Sequence, residues 1–367
     1  MLRFVFIAIL LFHGLIHLLG FVKAFKLAEV SQLMSPISKT GGVFWMLSFL
    51  LLLTAAAFFV GKNNWWWLFA ITGVVLSQVL IIGAWQDAKF GTIANLIILL
   101  VAIEAFAVWR FDEMVKAEVR QLFQASTPTN NEVITPDKIT RLPVPVQRWL
   151  NQSGVVGKER STSVRLKQKV EMKMKPEQTD WVKAEAQQYF ALNEPSFVWQ
   201  VSMQMMRVVE VVGRDKFMDG KGQMLIKAFG LVSIVNAADE KIDQGTLQRY
   251  LAETVWFPSA ALSPYITWEA IDSISAKATM SYKGTTGSGI FYFDQQGQFD
   301  KFITQRYMGS GAEAVLREWV ITTLETRNLN GINIPVKMEV TWKLDEGDFN
   351  WLKLDITDIE YNNPQLY

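Results

Sequence analysis

"SVRLKQKVEMKMK" (163–175) indicates the fold of the longer, C-terminal part of this chain. Its apolar side chains recur at about every second position: Val164, Leu166, Val170, Met172 and Met174. Successive side chains of a strand point to opposite faces, so this period predicts a β-strand with one apolar face. The segment is typical of a sheet that buries one side.

The same period continues further along the chain. "SFVWQVSMQMM" (196–206) places Trp199, Met203 and Met205 on one face. Turn signals such as "MDGKG" (218–222) and "NLNG" (328–331) separate the alternating segments. We therefore predict a large, curved antiparallel sheet, half-barrel-like and built mostly of hairpins. Further alternating segments are 276–284, 288–297, 298–308, 332–344 and 349–361.

One segment interrupts the strands with helical spacing. "DQGTLQRYLAETVWFPSAALSPY" (243–265) has Leu247, Tyr250 and Leu251 on one helical face, and Pro258 ends the regular spacing. Asp243 is the expected N-cap of a helix over 243–257. A helix inserted between antiparallel strands usually covers one face of the sheet. The C-terminal domain is thus predicted to be α+β, with a covering helix.

The N-terminal part has a different composition. Four apolar stretches each approach the roughly 20 residues needed to cross a bilayer. They predict four transmembrane helices, at about 3–25, 42–61, 65–85 and 92–110. The predicted organisation is a four-helix transmembrane domain, a helical, proline-containing connector and an antiparallel β domain, at 1–111, 112–150 and 151–367.

Charges flanking the apolar stretches bear on orientation. Lys23, Lys26, Lys39 and Lys89 follow the first and third stretches, which favours a C-terminal domain outside the cytoplasm. The basic residues of 110–120 argue the other way. We expect a multi-pass protein of the cell (cytoplasmic) membrane with an extracytoplasmic C-terminal domain.

Composition excludes several kinds of chemistry. The chain has no cysteine, two histidines, His13 and His17, and a net charge of +1. Thiolate metal sites and cysteine nucleophiles are excluded everywhere, and a Ser-His-Asp triad is excluded from the C-terminal domain. No basic cluster indicates nucleic acid, and we predict no cofactor and no bound metal.

The two histidines lie one helical turn apart in the first apolar stretch, "LLFHGLIHLLGF" (10–21). They share a stripe with Gly20, as on a face packed against other helices. Ionisable groups in hydrocarbon normally pair. Matching depths along antiparallel helices predicts the contacts His13–Glu104 and His17–Gln78.

Three interpretations of this intramembrane polar group stay open. Haem ligation is disfavoured because both histidines lie on one face of one helix, and a metal site with Glu104 and Asp87 is incomplete. A proton relay or a small-ligand pocket is the functional interpretation. A polar bridge that fixes helix register is the structural one, and we favour it.

The predicted β domain contains a polar cluster and an apolar set. The cluster could use Glu253 and Asp272 in acid–base work, but Arg249–Glu253 is also an ordinary i,i+4 ion pair and Arg306 a clamp between helix and sheet. Tyr250 completes it. The methionine-rich apolar set either lines a ligand cavity or forms the core. Its candidates are Met172, Met174, Trp199, Met203, Met205 and Trp256.

Four segments of the C-terminal part resemble a known family. They are 247–272, "LQRYLAETVWFPSAALSPYITWEAID", and the segments 276–284, 289–307 and 334–344. They resemble an uncharacterised bacterial family, a domain of unknown function, over most of 140–362. The order of elements also resembles the lipoprotein-carrier half barrel of the Lol system. That resemblance implies a curved sheet with covering helices that holds acyl chains. The predicted N-terminal domain of four transmembrane helices differs from the carriers, which are soluble or lipid-anchored.

The leading hypothesis is a bacterial membrane protein whose tethered β domain binds a hydrophobic ligand, a lipid or acyl chain, without catalysis. One alternative is a membrane enzyme or proton-coupled protein centred on His13, His17 and Glu104. Another is an envelope assembly module that docks a protein partner of unknown identity.

Overall fold

The computed structural model describes residues 2–124, 132–205 and 209–367. The chain forms two compact units. The helical unit ends at Asp112 and also takes in Phe229–Leu231, and the sheet unit comprises Glu113–Ala228 and Val232–Tyr367. The two are described separately below.

Within the described residues, the helical unit contains four helices long and apolar enough to cross a membrane, which confirms the predicted number. The fourth is longer than its predicted apolar stretch because an amphipathic pattern follows without a helix-breaking residue, so helical hydrogen bonding continues. A four-residue helix lies between the third and the fourth. The bounds are α1 Leu2–Ala24, α2 Lys39–Val60, α3 Trp66–Gly83, α4 Trp85–Ala88 and α5 Gly91–Gln124.

Small residues let these helices approach closely. A Cβ on Gly20 would overlap the ring of Trp45, and a Cβ on Gly42 would overlap Ala24. Glycine at such positions permits the backbone proximity that drives helix association in lipid. The predicted inward stripe of α1, from Phe6 through both histidines to Ala24, is buried.

The sheet unit takes in the end of α5 and two short helices, followed by six strands, a further helix and seven strands. The helices are α6 Pro136–Ile139, α7 Val144–Ser153 and α8 Glu240–Glu253. The strands before α8 are β1 Ser163–Met172, β2 Val182–Ala191, β3 Ser196–Met205, β4 Val209–Met218, β5 Lys221–Ala228 and β6 Val232–Ala237. Those after it are β7 Ile266–Ala270, β8 Ser275–Tyr282, β9 Thr285–Phe293, β10 Phe299–Met308, β11 Val315–Leu329, β12 Ile332–Leu344 and β13 Gly347–Tyr361.

All described strands belong to one antiparallel sheet, in the order β6-β5-β4-β3-β2-β1-β13-β12-β11-β10-β9-β8-β7. Each neighbouring pair is a hairpin except β1 with β13, where Val164 pairs with Tyr361. Tight turns occur where the sequence predicted them: Asp219–Gly220 and Asn330–Gly331 both have positive φ at two successive residues. Such mirror-image turns match the twist of a hairpin.

The position of α8 shows that the sheet is strongly curved. The helix packs against β4 and β5 and also against β8, β9 and β10. In a flat sheet β4 and β10 would lie about 34 Å apart at ordinary strand spacing, whereas a helix with side chains is about 10–12 Å across. The sheet must therefore curl around α8. Its β4–β5 turn meets the β8–β9 turn, where Lys283 Nζ lies 2.5 Å from Asp219 Oδ1. The predicted curved antiparallel sheet with a covering helix is confirmed.

The bounds of that helix differ from the prediction of 243–257. It begins at Glu240, and Asp239 is its N-cap, accepting a 2.9 Å hydrogen bond from the Ile242 N–H. Asp243 instead belongs to the first turn of the helix. Its side chain is buried and accepts a hydrogen bond from the Gly222 N–H at 2.7 Å. Two 3₁₀ turns, Thr254–Trp256 and Pro258–Leu262, follow. The first helical turn is polar, so apolar spacing places the start of the helix too late.

The cap makes helix stability dependent on pH. The Ile242 N–H is the main group that lowers the pKa of the Asp239 carboxyl, and the Gly311 N–H adds to the effect. The stabilisation is present above the unfolded pKa of about 3.9, and it is lost as pH falls through the lower folded pKa.

Asp239→Ala should cost about 0.5–2 kcal/mol at pH 7, measured by hydrogen exchange in α8. Asp239→Asn keeps an acceptor and should match the wild type at acid pH while being less stable at pH 7. A difference that does not change with pH would contradict this origin.

Candidate functional site

The concave face of the sheet contains one large apolar core. Side chains from α7, α8 and the 3₁₀ turns pack there against Val164, Leu166, Phe190 and Phe197 on β1 to β3. Trp256, a predicted cavity residue, belongs to this core and is 2% exposed. The Tyr361 hydroxyl donates to its carbonyl oxygen at 2.8 Å. This part of the concave face is filled by the protein's own side chains.

A buried ion cluster lies beside this core. Arg249 of α8 donates from Nη1 to Asp215 Oδ2 at 2.7 Å and from Nε to Glu253 Oε1 at 2.8 Å. Gln188 Nε2 donates to the other oxygen of Glu253 at 2.7 Å. The Arg249 guanidinium also lies 4.9 Å from the ring centre of Trp199. One arginine thus joins α8 to the inner faces of β3 and β4.

A second arginine enters the interior from β10. The Arg306 guanidinium lies 4.5 Å from the ring centre of Trp319. A Cβ at Gly245 would approach Arg306 Nε to 3.1 Å, so the Arg306 side chain lies close against the backbone of α8. Arg306 therefore contacts both helix and sheet, as a clamp would.

Burial and charge oppose each other in this cluster. Burial raises the pKa of Glu253, and the Arg249 charge acts in the opposite direction. Burial lowers the pKa of Arg306 to about 10, with the Asp215 charge opposing it. Arg306 is therefore still a cation at neutral pH. Two cations and two carboxylates nearly balance inside the curl, which favours a structural rather than an acid–base role.

The structure brings together only part of the predicted polar cluster. Arg249 and Glu253 form the i,i+4 pair, while Tyr250 is a core residue whose hydroxyl donates to the Ala191 carbonyl at 3.3 Å. Asp272 is exposed in the turn before β8, where it accepts from the Ile274 N–H. It cannot form the suggested carboxylate pair with the buried Glu253. Sequence reasoning missed Asp215, although a charged side chain at an inward position of β4 was a usable signal.

A separate apolar region continues along the same inner strand faces. We call it the concave patch, and it consists of Val170, Met172, Ala184, Ala186, Val201, Met203 and Val211. Its neighbours Trp199, Met205, Leu352 and Leu354 are half-buried. The indole N–H of Trp199 donates to Gln168 at 2.9 Å. Of the predicted cavity residues, Met172 and Met203 belong to the patch and Trp199 and Met205 border it, whereas Met174 is 45% exposed.

Among the residues that the structure describes, no helix packs over the patch as α8 packs over the core. The helix packs on β4, β5 and β8 to β10, whereas the patch lies mainly on β1 to β3. Its cover consists of side chains from the sheet itself.

The helical unit contains the predicted polar group with different partners. His13 Nε2 lies 2.7 Å from Asn95 Oδ1 and 3.2 Å from Ser77 Oγ. His17 Nε2 lies 2.9 Å from Ser77 Oγ, and its Nδ1 lies 2.7 Å from the His13 carbonyl. Gln78 enters the network through Asn95, which donates to it at 3.0 Å. The expected His17–Gln78 contact is replaced by this indirect connection.

The expected His13–Glu104 contact is wrong for a geometric reason. The depth estimate placed the middle of the predicted fourth apolar stretch, 92–110, opposite the middle of the first. The first residue of α5, Gly91, instead lies against His13, where an added Cβ would be 3.3 Å from its ring. Glu104 is then about 13 Å further along the helix axis than Asn95 at ordinary helical rise. Asn95 takes the place beside His13 that the depth estimate gave to Glu104.

Together these features define a class: a curled antiparallel-sheet protein with a buried ion cluster, joined to four apolar helices. The sequence pattern of a family of unknown function, DUF6544, matches residues 132–354, and the chain belongs to that family. Among solved structures, a LolA superfamily protein from Nitrosomonas europaea is similar at 13% identity and a TM-score of 0.32. The likeness covers 60% of this chain and 95% of that one. No curated protein matches the chain.

Proposed function

We propose that the sheet unit binds an apolar chain, the acyl group of a lipid, in the concave patch without catalysing a reaction. The observation that carries this is the continuity of the patch. Seven apolar side chains on neighbouring strands face the interior, bordered by half-buried Trp199, Met205, Leu352 and Leu354. An acyl chain would extend the apolar contacts that these side chains already make.

Methionine suits the patch to such a ligand. Met172, Met203 and Met205 have unbranched, polarizable side chains that adapt to irregular apolar surfaces. They can part to admit a chain and close again when it leaves. The adjoining ion cluster marks the polar end of the patch, and Trp199 separates the two.

A binding role also agrees with the available chemistry. The sheet unit has no histidine or cysteine. Its buried carboxylates all have hydrogen-bond partners: Arg249 holds Asp215 and Glu253, and the Gly222 N–H holds Asp243. The four apolar helices support a multi-pass protein of the cell membrane, where lipid is abundant. The lysines after the first and third helices support an extracytoplasmic sheet unit.

Photocrosslinking tests the proposal directly. The full-length protein in nanodiscs is exposed to palmitic acid with a diazirine in its chain, or to phosphatidylcholine with the same acyl group. Mass spectrometry should place the adducts on peptides of the concave patch. Ala184→Trp would fill the patch beside Met203, its cross-strand partner, and should lower the yield about tenfold, the equivalent of 1.4 kcal/mol.

Lys183→Trp is the matched control, because its side chain is 82% exposed on the opposite face of the same strand. Its crosslinking should equal that of the wild type. The proposal fails if neither probe labels the patch, or if both tryptophan variants behave alike. The two probes distinguish a free fatty acid from a phospholipid as the source of the chain.

A further inference from the structure

The helical unit contains a cavity of about 210 Å³ beside the two histidines. Its walls include His13, His17, Asp87 and apolar side chains, Trp45 and Phe90 among them. Ile16 and Phe90 line it and are also 55% and 74% exposed on the outer surface of the unit. The cavity therefore adjoins an apolar outer surface, of the kind that faces lipid.

The segment between α1 and α2 closes one side of this cavity. Asp87 of α4 accepts hydrogen bonds from the backbone N–H groups of Met34 and Ser35 at 2.9 and 2.8 Å. Lys23 donates to the carbonyl of Leu33, which also lines the cavity. These contacts fix the segment across the short α4, so the cavity is a built feature of the fold.

A chain of side-chain amides determines how His13 is protonated. Gln78 Nε2 donates to Thr92 Oγ1 at 3.2 Å, and Asn95 Nδ2 donates to Gln78 Oε1 at 3.0 Å. In this arrangement Asn95 presents its carbonyl oxygen to His13 Nε2, 2.7 Å away. That nitrogen carries the proton, and Nδ1 of the neutral ring is left with a lone pair.

The two histidines differ in whether a ring nitrogen is left without a hydrogen bond. His17 donates from Nδ1 to the His13 carbonyl, and its Nε2 accepts from Ser77. In the part of the chain that the structure describes, no hydrogen bond engages His13 Nδ1. His13 is only 4% exposed, and it lines the cavity. An acceptor that is accessible from the cavity suits a ligand that brings a donor.

We propose that this cavity binds the ring of a membrane-soluble quinol, with one of its hydroxyl groups donating to His13 Nδ1. A cavity of about 150 Å³ holds a benzene molecule, so 210 Å³ accommodates one substituted ring. Trp45 and Phe90 supply aromatic contacts. The Asp87 carboxylate disfavours anionic ligands such as fatty acids, and this separates the site from the proposed function of the sheet unit. The proposal concerns binding alone.

Calorimetry of the full-length protein in nanodiscs tests it under anaerobic conditions. The probes are 2-decyl-1,4-benzohydroquinone and its dimethyl ether, which has the same ring and no hydroxyl donor. The quinol should bind, and the ether should bind at least about tenfold more weakly, because the buried acceptor would remain unpaired. Equal affinities for quinol and ether, or no binding of the quinol, would overturn the proposal.

A cavity-filling variant locates the site. Ala88 lines the cavity without joining the histidine network, so Ala88→Phe should abolish quinol binding. Val79→Phe makes a similar enlargement on the outer surface of α3, where Val79 is 62% exposed, and should bind like the wild type. Unchanged binding by folded Ala88→Phe protein would place the quinol elsewhere and refute the assignment. If Ala88→Phe does not fold, the comparison of quinol with ether in the wild type still decides.

Discussion

Arg249→Met should destabilise the sheet unit by about 3–5 kcal/mol, the usual cost of removing one partner from a buried ion pair. Methionine keeps much of the apolar stem but removes the guanidinium, which lies over the rings of Phe197 and Trp199, so the loss is mainly electrostatic. Asp215 and Glu253 would be left as buried carboxylates without their cation. Hydrogen exchange of α8 and β4 amides in the full-length protein measures the change.

A combined variant separates charge from packing. Adding Asp215→Asn and Glu253→Gln to Arg249→Met removes both stranded carboxylates. It should recover part of the lost stability, because the Arg306 cation then loses the two carboxylates that favour it. Gln244→Met is a control on the same helix and should change stability by less than about 0.5 kcal/mol. If the triple variant is no more stable than Arg249→Met alone, buried charge is not the cause.

Trp256→Ala should cost about 3–5 kcal/mol, as expected when a large aromatic side chain is removed from a filled core. The indole contacts the Phe190 region of the core, and the Tyr361 hydrogen bond to the backbone carbonyl can persist. Folded Trp256→Ala protein should still crosslink the acyl probes at the wild-type level. Thermal unfolding and crosslinking per folded molecule provide the two measurements.

Trp199→Ala is the matched comparison at the border of the concave patch. Trp199 is half-buried, so Trp199→Ala should lower the stability less than Trp256→Ala does. It should lower the crosslinking yield more, because Trp199 borders the patch. The reverse order would assign the ligand contact to Trp256 and the structural role to Trp199. The two tryptophans, which sequence alone grouped together, would then exchange functions.

Local patterns predicted much of this fold. Alternation along 163–172 identified Val164, Leu166 and Met172 as inward residues of β1, and all three are buried. Strand period and turn chemistry depend on neighbouring residues, so sequence reports them directly. The covering helix was found for the same reason, although its polar first turn hid its start.

The contacts that failed are those that depend on the relative shift of distant elements. The prediction of a His13–Glu104 contact assumed that α5 begins level with the end of α1. The first residue of α5, Gly91, instead lies against His13, near the middle of α1. Asp215 could not be matched to Arg249 because that pairing requires the docking of α8 on β4, which no single segment encodes. The ion pair within α8 was predictable because four residues of helix determine its geometry.

The central pairing of β1 with β13 has a consequence for how the chain acquires its fold. Val164 and Tyr361 come together only after the almost 200 residues between them have been synthesised. The two runs of hairpins, β1–β6 and β7–β13, can form locally, but their junction is a non-local contact with a high loop-closure cost. Until β13 emerges, the inner edge of β1 is open to pairing with other chains. We expect closure of this junction to be the slow step of folding, during which the nascent protein is most prone to aggregation.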